Sequence, residues 1–257
     1  MKKVLAIIGS NRKLSNTEYF AKRILNKLSE LSDNKISFEI ISTGDVKIDF
    51  CKGCTNCFRN GLCPVDYKDD MRIIKEKILE ADFIIFGSPV YAHNITGVMK
   101  NFLDRISYWT HLLRLGGKYG YAIGTTSTNG DIYAVDYLSD FLNYLGVNVI
   151  GKDNVFVDEP KELSNEEFMD KKTEEIASKI LEILKLKEYK TNDILEVLFK
   201  INKEKYKHIP KIEGTEPNMF ESYYWQSNNL VNKETFQEVI EDKCITKNIN
   251  YREKCLI

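Results

Sequence analysis

Val4-Leu5-Ala6-Ile7-Ile8, closed by Gly9 and running on through Ser10-Asn11-Arg12-Lys13-Leu14-Ser15-Asn16-Thr17, is the stretch that decides the fold of this 257-residue chain. Five consecutive apolar residues leave no polar face, as in a central parallel strand covered on both sides. After the polar loop, Phe20, Ile24, Leu28 and Leu31 recur at helical spacing and predict a helix over 15–31. Strand, polar loop and helix in that order make the first half of a βαβ unit. The opening Met1-Lys2-Lys3 resembles the start of a secretion signal, but the apolar run is too short and no small-residue cleavage site follows.

The alternation continues outward from there. Further strands are expected over 36–41, 82–87, 118–126 and 147–150, and helices over 69–81, 97–106, 132–145 and 164–186. Ser164 and Glu167 have the spacing of a capping box at the start of the last helix. Five strands and five helices predict an α/β, doubly wound, five-stranded parallel sheet of order 2-1-3-4-5, with ligands held beyond the carboxyl ends of the strands. Residues 1–188 form this domain. Residues 189–257 read as a helical or irregular extension, with a helix over 193–206, breaks at Pro210 and Pro217, and scattered aromatics at Tyr223, Tyr224, Trp225 and Phe236. Their apolar content is too dispersed for a second core, so the extension is expected to pack on the main domain or on a neighbouring subunit. Cys244 and Cys255 are read as inert thiols.

Lys and Arg balance Asp and Glu to a net charge of −1, which argues against nucleic acid or an acidic membrane surface as a main partner. No apolar stretch reaches bilayer length. A cytoplasmic protein is expected, where free thiols and metal thiolates survive.

Three polar loops fall at strand ends. Residues 9–17 offer hydroxyls at Ser10, Ser15 and Thr17, amides at Asn11 and Asn16, a cation at Arg12 and the N–H groups of a helix start. Together these suit a single phosphate, although Ser15 or Asn16 capping the helix explains part of the pattern. Neither a Walker loop nor G-x-G-x-x-G is present. The second loop is Gly87-Ser88-Pro89-Val90-Tyr91-Ala92-His93-Asn94, and the third is Thr125-Thr126-Ser127-Thr128-Asn129-Gly130. Lys100, Asp104 and Arg105 have the spacing of a pair along one helix and read as structural. His111 and His208 belong to no constellation.

Cys51, Cys54, Cys57 and Cys63 stand within thirteen residues as C-x2-C-x2-C-x5-C, followed by Pro64. The run resembles the bacterial ferredoxin pattern and suits a cubane iron–sulfur cluster, with Gly53 and Gly61 letting backbone amides approach the sulfurs. A zinc site, disulfides and plain reduced thiols are the competing readings.

Taken together, G-S-N-R-x-x-S-N-T, S-P-V-Y-x-x-x-x-x-G-x-M-K-x-F-L-D-R and T-T-x-x-x-G make the chain similar to the flavodoxin-like NAD(P)H-dependent FMN reductase superfamily. With Asp69-Asp70-Met71, the cysteine run resembles the iron–sulfur flavoprotein branch. The resemblance implies that Ser10, Asn11, Arg12, Ser15, Asn16 and Thr17 hold the FMN phosphate. It implies that Pro89, Val90, Tyr91, Ala92 and Asn94 line the ring and ribityl chain, and that Thr125, Thr126, Ser127 and Gly130 meet the pyrimidine edge. His93 and Tyr91 are the candidates for a catalytic role beside a flavin that carries the chemistry itself.

An FMN-dependent oxidoreductase with a [4Fe-4S] cluster is the implied function. Its donor would be ferredoxin-like or NAD(P)H, its acceptor a small molecule, and its state a homo-oligomer, dimer or tetramer. An NAD(P)H-dependent reductase of FMN or quinone type without a cluster, and a non-enzymatic electron carrier, are the alternatives. Phe220 to Trp225 resemble the aromatic C-terminal segment of longer relatives, from which the extension is expected to close over a flavin or seal a dimer.

Overall fold

A computed structural model describes residues 1–208 and 220–245; Pro210, Pro217 and Cys255 lie outside the described residues. In chain order the elements are β1 (Lys2–Ile8), α1 (Asn16–Leu31), β2 (Ile36–Ser42), α2 (Asn56–Asn60), α3 (Met71–Glu80), β3 (Phe83–Pro89), α4 (Gly97–Ile106), β4 (Tyr119–Thr126), α5 (Asp131–Tyr144), β5 (Asn148–Phe156), α6 (Glu166–Lys185), α7 (Asp193–Lys207), α8 (Phe220–Ser227) and α9 (Phe236–Glu241). The sheet order is β2-β1-β3-β4-β5 and every pair is parallel, so the expected doubly wound topology is the observed one.

Each face of the sheet is covered by its own apolar layer. On one side Phe20, Ile24, Leu25 and Leu28 of α1 join Ile176, Ala177 and Ile180 of α6 against Ala6, Ile8, Ile85 and Ile123. On the other, Ile74 and Ile78 of α3, Phe102 of α4 and Leu138 and Leu142 of α5 pack on Leu5, Ile7, Ile84 and Phe86. The extension belongs to this second layer. Leu195, Phe199 and Tyr206 of α7, Tyr224 and Trp225 of α8, and Phe236 and Val239 of α9 are buried in it with Trp109 and Leu112. The Trp225 ring stacks between Phe199, at 5.6 Å, and Tyr206, at 5.3 Å. The arm thus packs on its own main domain.

Two of the differences from the sequence reading have a visible cause. Strand β5 runs on to Phe156, because Lys152, Asp153 and Asn154 continue the ladder beside β4 after a register shift at Gly120 and Tyr121. Helix α6 is capped by Asn165, whose side chain accepts from the N–H of Phe168, and not by Ser164. Ser164 closes a short 3-10 turn with its hydroxyl on Lys161 O, so it is already bonded before the helix begins.

Candidate functional site

The three polar loops meet at the carboxyl rim of the sheet because side chains and backbone tie them together there. The Gly9 N–H donates to Gly87 O at 2.8 Å. Thr96, the N-cap of α4, donates its hydroxyl to Gly9 O at 2.7 Å and accepts from the Met99 N–H. Its own N–H donates to Ser88 Oγ at 3.1 Å. The hydroxyls of Thr17 and Thr125 lie 2.6 Å apart in the core, and the Val90 N–H donates to Thr125 O at 2.9 Å.

Within the first loop, Ser10 and Ser15 turn inward. Ser10 Oγ accepts from the Arg12 N–H at 3.1 Å, and Ser15 caps α1 by accepting from the Glu18 N–H at 3.2 Å. These two hydroxyls hold the loop's shape. Asn11 and Arg12 are exposed, and beside them lie the first-turn amides of Asn16 and Thr17. Helix starts leave such amides without an intrahelical acceptor, and among the described residues none is supplied for these two. A loop of N–H donors beside a guanidinium is an anion site.

The second loop folds back on itself. Tyr91 and Asn94 exchange backbone hydrogen bonds at 2.8 and 3.0 Å, while Ala92 and His93 take φ of 49° and 62°. That is a type I′ turn, where Asn-Gly is the usual pair, so two side chains are held in a costly conformation at the rim. Tyr91 projects with 60% of its surface exposed, and Asn94 Oδ1 accepts from the Ile95 N–H at 2.8 Å. Pro89 and Val90 are half-buried, whereas Ala92, His93 and Ser127 are exposed. The third loop is closed by Thr126, which donates to Asn129 O at 2.6 Å. Gly130, at φ 79°, lets it press on the second loop: a Cβ there would lie 2.7 Å from His93 Cα. Gly44 does the same for the first loop, with Asn11 Cα 2.6 Å from where its Cβ would be.

The cysteine loop hangs from the same helix that fastens the rim. Asn101 of α4 accepts from the Cys51 N–H at 3.3 Å and donates to Ile48 O at 3.1 Å. Arg105, one turn on, donates to Asp49 O at 2.7 Å, pairs with Asp66 at 2.6 Å and pairs with Asp69. Its role is structural, as expected, but its partners lie in the cysteine loop and not along its own helix; Lys100 and Asp104 do form the intrahelical pair. Lys75, buried against the rings of Tyr108 and Trp109, pairs with the other oxygen of Asp66 at 2.6 Å. Burial pulls its ammonium pKa down, against the pull of Asp66. Burial also works against the Asp69 carboxylate, yet the hydrogen bond from Arg105 holds it below its ordinary range.

Cys51 and Cys54 are exposed, and Cys57 and Cys63 are partly covered. Burial, reinforced by neighbouring Cys63, pushes the Cys57 thiol up to about 11. Among the described residues, no three Cys, His, Asp or Glu side chains converge as a metal-binding group. Gly53 and Gly61 take φ of 62° and 74°. Sequence reasoning did not find Gly44, Asp66, Lys75, Thr96 and Asn101 as parts of this region. Their partners are remote in sequence, and the one visible hint was a pair of carboxylates placed just after the cysteines.

The sequence model of the NADPH-dependent FMN reductase family matches residues 2–162. An iron–sulfur flavoprotein of Archaeoglobus fulgidus is 33% identical over 186 residues, which cover 72% of this chain and 81% of that protein. An iron–sulfur flavoprotein of Methanocaldococcus jannaschii is 32% identical over 151 residues, 58% of this chain and 76% of its own. Among solved structures, an apo NADH:FMN oxidoreductase aligns with 69% of this chain and 87% of its own at 21% identity and a TM-score of 0.53, which shows a shared fold. No helix among the described residues is long and apolar enough to cross a membrane. A family match over more than half of the chain, joined to a relative aligned over most of its length, fixes the kinship: the chain belongs to the NADPH-dependent FMN reductase family, in its iron–sulfur flavoprotein branch, and is a flavin-dependent oxidoreductase of flavodoxin-like fold.

Proposed function

We propose that the chain holds FMN on the rim of its sheet and a [4Fe-4S] cluster on Cys51, Cys54, Cys57 and Cys63, and passes electrons between a low-potential donor and a small acceptor. The observation that carries this reading is α4. Its cap, Thr96, fastens the first rim loop, and its Asn101 and Arg105 fasten the cysteine loop, so one short rigid helix joins the two regions.

The residues of the rim fit FMN. The unpaired amides of Asn16 and Thr17, with Asn11 and the forked donors of Arg12, suit a phosphate monoester. Pro89, Val90, Tyr91, Ala92 and Asn94 would supply a wall for a planar ring, and Thr125, Thr126 and Ser127, on the loop that Gly130 lets approach it, would meet its polar edge. FMN supplies hydride and single-electron chemistry. The chain's part is to hold the phosphate, orient the ring, shield one face with Tyr91 and favour negative charge at the ring edge through N–H and hydroxyl donors. His93, exposed on the turn that backs Gly130, would donate a hydrogen bond or a proton to the ring.

The donor set of the cysteine loop suits iron and sulfide: four thiols, two left-handed glycines, and the buried cations Lys75 and Arg105 to offset thiolate charge. Cys57 gives up its proton on ligation, which is the ordinary coupling of metal binding to deprotonation. The names of the relatives support the same assignment. A ferredoxin-like protein or NAD(P)H as donor, a small-molecule acceptor, a cytosolic setting and a homo-oligomer complete the proposal. Exposed Tyr91, Ile132 and Tyr133 suit a second copy at the rim.

Purification without oxygen, with FMN, iron and sulfide assays and a visible spectrum, tests the reading. About one flavin and about four irons per chain, as a cubane centre needs, are expected. Flavin without iron would select the reductase of quinone, nitro or azo compounds that uses the same rim with passive thiols. A near-neutral chain gives a non-enzymatic carrier little electrostatic means of finding its partner.

A further inference from the structure

The C-terminal extension does not simply cover the core; one part of it grips the cysteine loop. Helix α8 lies against α2, the single helix within that loop and the carrier of Cys57. At the end of α2, Gly61 has no side chain, and the Phe220 ring occupies that space: a Cβ on Gly61 would stand 2.8 Å from three of its carbons. On the other flank, Phe58 of α2 packs on the His111 ring at 5.3 Å. His111 Nδ1 is in turn 2.6 Å from Glu221 Oε1. Glu221 is 2% exposed, and its second oxygen accepts from Tyr206 OH at 2.6 Å. Trp225 Nε1 donates to His111 O at 2.8 Å. A carboxylate is buried at this cost only when it is fully hydrogen-bonded, so the geometry defines a fixed joint.

We propose that α8 is a clasp on the second half of the cysteine loop, in which Phe220 and Glu221 act as positioning residues that hold α2 and shelter Cys57 and Cys63 while Cys51 and Cys54 stay open. The solvent classes of the four thiols already divide in this way. The residues that make the joint on the extension side, Tyr206, Phe220, Glu221 and Trp225, lie beyond the stretch matched by the family, residues 2–162. The clasp also gives the extension a place beside the thiols, distinct from the expected place over a flavin.

Native alkylation of the metal-free full-length protein, followed by peptide mass spectrometry, reads the four cysteines separately, and its outcome does not depend on whether the chain ever binds a cluster. In the parent chain Cys51 and Cys54 should react first. In Glu221→Ala and Phe220→Ala, Cys57 and Cys63 should speed up by about tenfold or more, because access follows local opening, while Cys51 and Cys54 keep their rates. Phe220 is only partly buried at the edge of the apolar layer, so Phe220→Ala carries the test if the buried Glu221 variant does not fold. Unchanged rates at Cys57 and Cys63, or an equal acceleration of all four thiols, would overturn the clasp. Either result would leave the cluster reading to its own iron and sulfide assay.

Discussion

At the rim, a methyl group on Gly130 would stand 2.7 Å from His93 Cα and 2.9 Å from Val90 Cγ1, on a backbone already at φ 79°. One of these neighbours is main chain and cannot swing away. Gly130→Ala is expected to cost about 1–3 kcal/mol and, by pushing the second and third loops apart, to weaken FMN binding at least tenfold. Denaturant unfolding and flavin fluorescence titration check the two effects. Arg105 poses the opposite problem, since its side chain is fully buried and neutralises two carboxylates. Arg105→Met leaves Asp69 without its cation and Asp66 with Lys75 alone, and is expected to cost about 3–5 kcal/mol at neutral pH. The sign of the pH dependence follows. In the parent chain Asp69 is depressed and stabilises the fold above the ordinary carboxylate value, a contribution lost as pH falls through its folded value. In the variant a buried, unpaired Asp69 favours protonation, so acid relieves it. The stability gap should be widest at neutral pH and narrow towards about pH 4; a gap that stays constant across that range would contradict the assignment.

Among the elements, β1 and β3 were legible as unbroken apolar runs because both faces of a central parallel strand are covered. The far half of β5 was not, because an edge strand carries polar residues and leaves no such run: Asp153 pairs there with Lys172 and accepts from the Tyr121 hydroxyl. Ser164 and Asn165 are both good capping residues, and a preceding turn that had already used the serine decided between them. The loops of the candidate site were readable because their chemistry is local to short motifs. The joint of His111 with Glu221 was not, since 110 residues separate the partners. Thr96 falls between these cases. It stands inside a readable motif, yet its bond to Gly9 O spans 87 positions. Thr96→Val removes both the cap of α4 and the tie to the first loop at nearly constant volume, and should cost about 1–3 kcal/mol. Thr96→Ser should recover most of that loss in urea unfolding; equal loss in both variants would point to the methyl group and not the hydroxyl.

For the whole molecule, the question is whether the flavodoxin-like part is complete without its extension. The sequence suggested a boundary near residue 188, because the apolar residues beyond it are too scattered for a core of their own. That dispersal has a structural counterpart: Leu195, Phe199, Tyr206, Tyr224, Trp225, Leu230, Phe236 and Val239 are all buried in the same apolar layer as α3, α4 and α5. Each such side chain contributes about 1.5–3 kcal/mol on burial, partly offset by the entropy of ordering the extension. The lasting effect of truncation lies on the other side of the contact, where Trp109, Leu112 and Leu115, now buried, would face water. An exposed apolar patch of that kind drives association. A chain of residues 1–188 is therefore expected to bind hydrophobic dyes, to unfold at least about 10 °C below the full chain, as a loss of a few kcal/mol gives at this size, and to self-associate. If the fragment instead stays monomeric with an unchanged Tm, the second apolar layer is self-sufficient, and the extension serves the cysteine loop alone.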